Sequence, residues 1–154
     1  YGQQLIEKQK IRYTYGLTER QFERFFELAA KSKIETGPKL IQLLEQRLDN
    51  VIFRSGLAPS RSVARQLIGH GHFVVNSHKT TTPSYLVRIG EVIGIRKGSE
   101  AIAVFKDLTN VLKRSKAPSW LEVDAGAFQV KVSDLPKDTE HTFDLEKVID
   151  FYSK

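Results

Sequence analysis

Residues 47–76 read RLDNVIFRSGLAPSRSVARQLIGHGHFVVN, and they set two short helical patterns and a strand in close succession. Val63, Ala64, Leu67 and Ile68 recur at helical spacing, and Ser60 stands where an N-cap accepts a backbone N–H of the first turn. Arg61 and Arg65 are four apart, so they leave the same side of that helix. Gly69 or Gly71 closes it, because a helix C-terminus needs a residue tolerant of the left-handed conformation. Phe73-Val74-Val75 then starts a strand, and Asn76-Ser77-His78-Lys79 reads as the turn of a hairpin.

Upstream, a helix opens at Gly37-Pro38 and runs to Gly56, with Leu40, Leu44, Leu48, Val51 and Ile52 as its apolar stripe. Arg47, Asn50 and Arg54 share a different face of it. Before that, residues 3–13 form a short basic helix. Thr18 and Gln21 make a capping box, Leu17 and Phe22 a hydrophobic staple, and Phe22, Phe25, Phe26 and Ala29 a core-facing stripe. Downstream, Val87, Gly90, Val92, Ile93 and Ile95 are expected to form a second strand pair bent at the glycine, and Ala101–Phe105 another strand. Phe128–Val132 alternates as a strand, and Asp144 caps a last helix with Leu145, Val148, Ile149 and Tyr152 on one face.

Charge is concentrated in the middle of the chain. Of a net +6, residues 47–98 hold eight basic and two acidic side chains, whereas residues 99–154 hold eight basic and ten acidic ones. From 47 to 96 there are six Arg and one Lys, and Asp49 is the lone acid between 46 and 90. Arginine presents a planar fork matched to phosphate oxygens, so this segment fits a polyanion better than a merely solvated face. Asn50, Ser60 and Asn76 add short hydrogen-bonding groups suited to phosphates or 2′-hydroxyls, which points to folded RNA recognised by shape.

Other chemistries find little support. With no cysteine, disulfides and thiolate metal sites are excluded. His70, His72 and His78 stand in a basic neighbourhood that repels a divalent cation. Glu122 and Asp124 form an acidic edge with nothing to desolvate either carboxylate. No phosphate-binding loop, dinucleotide fingerprint or nucleophile elbow appears, so no enzyme, no cofactor and no metal are expected. No apolar run is long enough to cross a membrane. The chain has no Met, so residues are expected ahead of Tyr1.

The quoted stretch, followed by PSYLVRIGEVIGI (83–95), closely resembles the RNA-binding module named after ribosomal small-subunit protein S-four. That module also occurs in pseudouridine synthases, tyrosyl-tRNA synthetases and small heat-shock RNA-binding proteins. The flanks YGQQLIEKQKIRYTYG (1–16), QFERFFELAAK (21–31), PSWLEVD (118–124) and VIDFYSK (148–154) are similar to the bacterial or organellar ribosomal S-four family itself. The resemblance implies an α+β fold: a mostly helical domain plus an inserted RNA-binding module of two helices packed on a small bent antiparallel sheet. The expected divisions are 1–46 and 118–154 for the helical domain and 47–117 for the module.

It further implies a structural constituent of the small ribosomal subunit. Such a protein is a primary binder of 16S-type ribosomal RNA at a 5′-domain junction, with a role in nucleating assembly. A contact with mRNA at the entry tunnel, an influence on decoding accuracy and a contact between the C-terminal part and small-subunit protein five also follow. Its place would be the ribosome, cytoplasmic or organellar, without a membrane. By motif match, Arg47, Asn50, Arg54, Ser60, Arg61, Arg65, His70, His72 and Asn76 would line the RNA face, extended by Lys79 and Arg88. Lys8, Lys10 and Arg12 would add backbone contacts. Relatives usually carry a basic N-terminal extension before the segment matching Tyr1, sometimes with a cysteine metal site. They also usually have Asn-Gly where this chain has Asn76-Ser77, which puts the tight turn in question. An RNA-modifying enzyme that borrows the module is a rival, but no segment is left for its catalytic domain. A stand-alone RNA-binding stress or ribosome-recycling factor is the nearer alternative; it would lack the aromatic helix of residues 18–31 and the PSWLEVD segment.

Overall fold

A computed structural model describes residues 1–137 and 139–153. Asp138 and Lys154, the latter closing the VIDFYSK motif, lie outside the described residues. Among those described, helices form at α1 (Gly2–Tyr15), α2 (Glu19–Ala30), α3 (Thr36–Glu45), α4 (Leu48–Ser55), α5 (Arg61–Gly69), α6 (Leu108–Arg114) and α7 (Leu145–Tyr152). Strands form at β1 (Phe73–Val75), β2 (His78–Lys79), β3 (Val92–Ile95), β4 (Leu121–Asp124) and β5 (Gln129–Val132). The fold class is α+β, as the resemblance implied.

Two compact units divide the chain, one from Tyr1–Glu45 with the residues after 138, the other from Gln46–Lys137. In the first, α1 and α3 both pack against α7, and α2 packs on α3. The capping box forms in full: Gln21 N donates to Thr18 Oγ1 (3.2 Å) and Thr18 N to Gln21 Oε1 (3.0 Å). The aromatic stripe of α2 is core as expected, with Phe22 and Phe25 buried and Phe26 stacked 4.3 Å from the Tyr152 ring. Burial, and then the carboxylates of Glu19 and Glu23, push the Tyr152 phenol up to about 12. Asp144 caps α7, its side chain accepting from Lys147 N at 3.4 Å. Each cap satisfies a backbone N–H that the helix itself leaves over.

In the second unit, α4 packs on α5, and the strands form one antiparallel sheet in the order β2-β1-β3-β5-β4. Leu48, Val51, Ile52, Ala64, Ile68, Phe73 and Ile93 share a core with Trp120, Val130 and Val132. Four expectations need correction here. The long helix to Gly56 is broken at Gln46-Arg47, because segment 83–87 takes the backbone groups a continuous helix would use internally. Leu48 N donates to Tyr85 O (2.8 Å), Asp49 N to Pro83 O (3.1 Å) and Val87 N to Gln46 O (2.9 Å). Residues 101–105 form no strand: Ala103–Phe105 is a 3-10 turn, and of the five residues Phe105 alone is buried, so no in-and-out alternation arises. Likewise, Val92–Ile95 is a single strand where a pair over 87–95 is expected.

The fourth correction concerns the boundary at 117. Strands β4 and β5 belong to the module sheet, with Ile93 opposite Val130 and Leu121 opposite Val132. The alternation in β5 buries Val130 and Val132 beside Phe73, so the pattern read as a strand finds its partner in the module. Helix α6 carries Leu108 and Leu112 into the same core.

The hairpin turn forms without glycine. Val75 pairs with His78, leaving Asn76 (φ 49) and Ser77 (φ 67) as a two-residue loop with the positive φ values of a type I′ turn. Asn76 tolerates this conformation and is pinned by β3: its N donates to Val92 O (2.8 Å), and its Oδ1 accepts from Val92 N (2.9 Å). Ser77 bears the strain. Ser77→Gly is therefore expected to stabilise the protein by roughly 0.5–1 kcal/mol, read as a higher urea midpoint. A midpoint unchanged or lowered would mean that serine holds this turn without strain.

Candidate nucleic-acid interface

The arginine face is organised by one buried acid at the start of α4. Asp49 pairs in a two-point geometry with Arg47, Nε to Oδ1 at 3.2 Å and Nη2 to Oδ2 at 3.0 Å. Its Oδ1 also accepts from Asn50 N at 2.7 Å, and Arg65 Nη1 stands 3.7 Å from Oδ2. Asn50 Oδ1 accepts from Arg61 Nε at 3.0 Å. Asp49 and Asn50 thus hold the guanidiniums of Arg65 and Arg61 on neighbouring positions of α5. Arg61 lies over the Phe53 ring, 4.7 Å from its centroid, and Arg54 approaches the same ring at 6.0 Å. Guanidiniums held by hydrogen bonds and a ring lose less freedom on meeting a phosphate than solvated ones do.

This arrangement alters two of the expected site residues. Arg47 and Asn50 are 2% and 0% exposed, so they stand behind the arginine face and not on it. The helix break at 46–47 turns Arg47 inward, and its carboxylate partner makes that burial tolerable. Ser60 keeps its expected cap: its hydroxyl accepts from Val63 N at 3.1 Å and is committed to the helix start. Arg54, Arg61 and Arg65 are half-buried.

A second group gathers where α5 passes into β1. The His70 and His72 rings meet edge-on at 6.3 Å, and His72 Nδ1 lies 3.0 Å from the hydroxyl of buried Ser99. Arg96 N donates to His72 O at 2.8 Å. Gly71 has φ 81, and a Cβ there would sit 2.5 Å from Lys79 Cε, so the glycine makes room for that lysine stem. Asn76, Lys79 and Arg88 are exposed, although the Asn76 Oδ1 is bonded to β3. Arg96 and Phe53 were not anticipated as site residues. Arg96 follows an apolar strand as its first basic residue, a signal that was available; Phe53 reads as core until its arginine neighbours are placed.

Burial, then the charges of Arg96 and His70, hold the His72 imidazole below its ordinary value. The folded state therefore binds that proton less readily than the unfolded one. Its contribution to stability is complete above the ordinary imidazole pKa of about 6.5 and is lost as pH falls from there toward the folded value. Between pH 7.5 and pH 5 the urea midpoint should fall less in His72→Asn than in the parent; equal falls would contradict this assignment.

The N-terminal cations divide differently from expectation. Lys8 is 6% exposed, ion-paired with Glu19 and set 4.8 Å from the Phe151 ring centroid. Arg12 donates to Leu17 O (2.9 Å) and Gln9 Oε1 (2.7 Å), closing the end of α1. Both hold the helical unit together, whereas Lys10 is exposed, with Glu7 at 2.8 Å. Among the described residues no three His, Cys, Asp or Glu side chains converge as a metal site, and no helix is long and apolar enough to cross a membrane.

Residues 46–93 match the family model described as S4 domain, and residues 1–45 match that of the ribosomal protein S4/S9 N-terminal domain. The small ribosomal subunit protein uS4 of Herpetosiphon aurantiacus is 47% identical over 100% of this chain and 75% of its own length. The chain belongs to the uS4 family. The uS4 proteins of Dehalococcoides mccartyi and Aquifex aeolicus are 46% and 47% identical, over 99% and 100% of this chain and 75% of their own lengths. Membership makes the chain a structural, RNA-binding protein of the small ribosomal subunit and not an enzyme. The start of the S4 domain match at residue 46 coincides with the start of the sheet-bearing unit.

Proposed function

We propose that the chain is a primary binder of 16S-type ribosomal RNA, holding a multi-helix junction of the 5′ domain and nucleating subunit assembly there. The observation that carries this reading is the pair Arg61 and Arg65, projected from one side of α5 and tied to Asn50 and Asp49. Two guanidiniums one turn apart suit successive phosphates, and a module with this excess of basic over acidic side chains steers a polyanion to them. Arg54, Lys79, Arg88 and the His70–His72 corner extend the RNA face, and Lys10 adds a cation from α1. The acid-richer C-terminal part suits a protein neighbour, which the family resemblance assigns to small-subunit protein five. A contact with mRNA at its entry to the subunit, with an influence on decoding accuracy, belongs to the same reading. So does residence on a cytoplasmic or organellar ribosome.

Chemical footprinting of a 5′-domain transcript tests the proposal. Protection clustered at a junction of several helices is the expected result. Preferential binding to free large subunits or to tRNA would support a stand-alone recycling factor in its place.

A further inference from the structure

A recess of about 330 Å³ opens on the module beside α4. Leu57 and Leu108 are buried within it, and Phe53, Pro59, Val104 and Val111 complete an almost wholly apolar lining. Val104 and Val111 are 40% and 39% exposed, much for valines that share one concavity. The size is at the small end of ligand pockets, roughly 300–1,000 Å³, and suits one flat group. Val104 and Val111 lie beyond residues 46–93, so the recess combines the S4 domain with a segment outside that match.

Phe53 joins this recess to the arginine face, because the ring that lines it also carries Arg61 at 4.7 Å and Arg54 at 6.0 Å. Apolar contact and phosphate-seeking charge therefore adjoin through a single side chain. An aliphatic protein side chain would use the first and not the second; a nucleotide uses both. Asp107 supplies a carboxylate at the recess, with Arg114 at 3.7 Å and a hydrogen bond from Asn110 Nδ2 at 2.8 Å offsetting its charge. An ionised carboxylate only accepts hydrogen bonds, and guanine offers two adjacent donors, N1–H and the N2 amino group.

We propose that the recess receives one unstacked nucleobase of the bound ribosomal RNA, with guanine favoured. The inference rests on the RNA-binding reading of the Arg61–Arg65 face and deepens it. Unstacked bases in junctions and loops are the usual targets of specific RNA recognition, and apolar and aromatic surfaces take their π-faces.

Photocrosslinking of the intact protein to a 5′-domain junction transcript carrying 6-thioguanosine tests this directly. The expected crosslink maps to residues 104–111 or to Phe53–Pro59. The double variant Val104→Ser, Val111→Ser, neutral in charge and changed at exposed positions, should bind the transcript about tenfold more weakly at an unchanged salt slope. Asp107→Asn should remove the preference for thioguanosine over 4-thiouridine in the crosslink. Crosslinks confined to the arginine-bearing stretch around 61–65, with the serine variant binding as the parent does, would overturn the recess proposal and leave the arginine face standing. Loss of the face itself would be seen separately, as Arg61→Ala and Arg65→Ala binding like the parent.

Discussion

Asp49→Ala is expected to destabilise the protein by about 3–5 kcal/mol, the penalty for leaving a buried guanidinium without its carboxylate. Asp49 is 1% exposed, and the Arg47 side chain that it pairs with is 3% exposed. Neither group can turn to water without opening the core beneath α4, where Leu48, Val51 and Ile52 are fully buried. The substitution also takes the acceptor from Asn50 N and the counter-charge from Arg65. A shift in thermal midpoint of about 10 °C or more follows for a domain of this size. Asp49→Leu combined with Arg47→Met should recover much of the loss, because a buried ion pair replaced by packed apolar side chains is often neutral or better. If Asp49→Ala alone moves stability by less than about 1 kcal/mol, the pair does not bear on the fold as its burial indicates.

For RNA binding the largest effects should come from Arg61 and Arg65. Each replaced by alanine is expected to weaken binding to a junction transcript roughly tenfold and to lower the salt slope by about one. Both side chains are half-buried, so the folded state should survive, and urea midpoints close to the parent value would confirm it. Lys8→Ala is the useful contrast. Its ammonium is held between Glu19 and the Phe151 ring, so its loss should loosen the helical unit and leave the salt slope unchanged. Arginine variants that bind with parental affinity and slope would remove the α5 face from the interface.

The local elements were legible from residues alone, because caps, glycine stops and apolar periodicity act over one or two turns of chain; the family was legible through the resemblance of whole motifs. The capping box at Thr18, the Ser60 cap and, apart from Phe128 with its positive φ, the strand read over 128–132 needed nothing beyond their own neighbours. The helix break at Gln46-Arg47 was different, since it depends on backbone groups of residues 83–87 arriving from far along the chain. The same long-range pairing draws β4 and β5 into the module sheet, where linear order had grouped them with the C-terminal helix.

The candidate site divides along the same line. That arginines cluster between 47 and 96, with almost no acid among them, is a property of the sequence. Which of them faces outward is not, because Arg47 and Arg61 are the same residue type with equally suggestive spacing. Burial decides it: Asp49 sequesters Arg47, Asn50 steers Arg61, and Glu19 with Phe151 draws Lys8 inward. Charge is carried residue by residue and can be counted along a chain. Desolvation and ion pairing arise only when distant residues meet, and they determined which cations build the fold and which are left for the proposed RNA face.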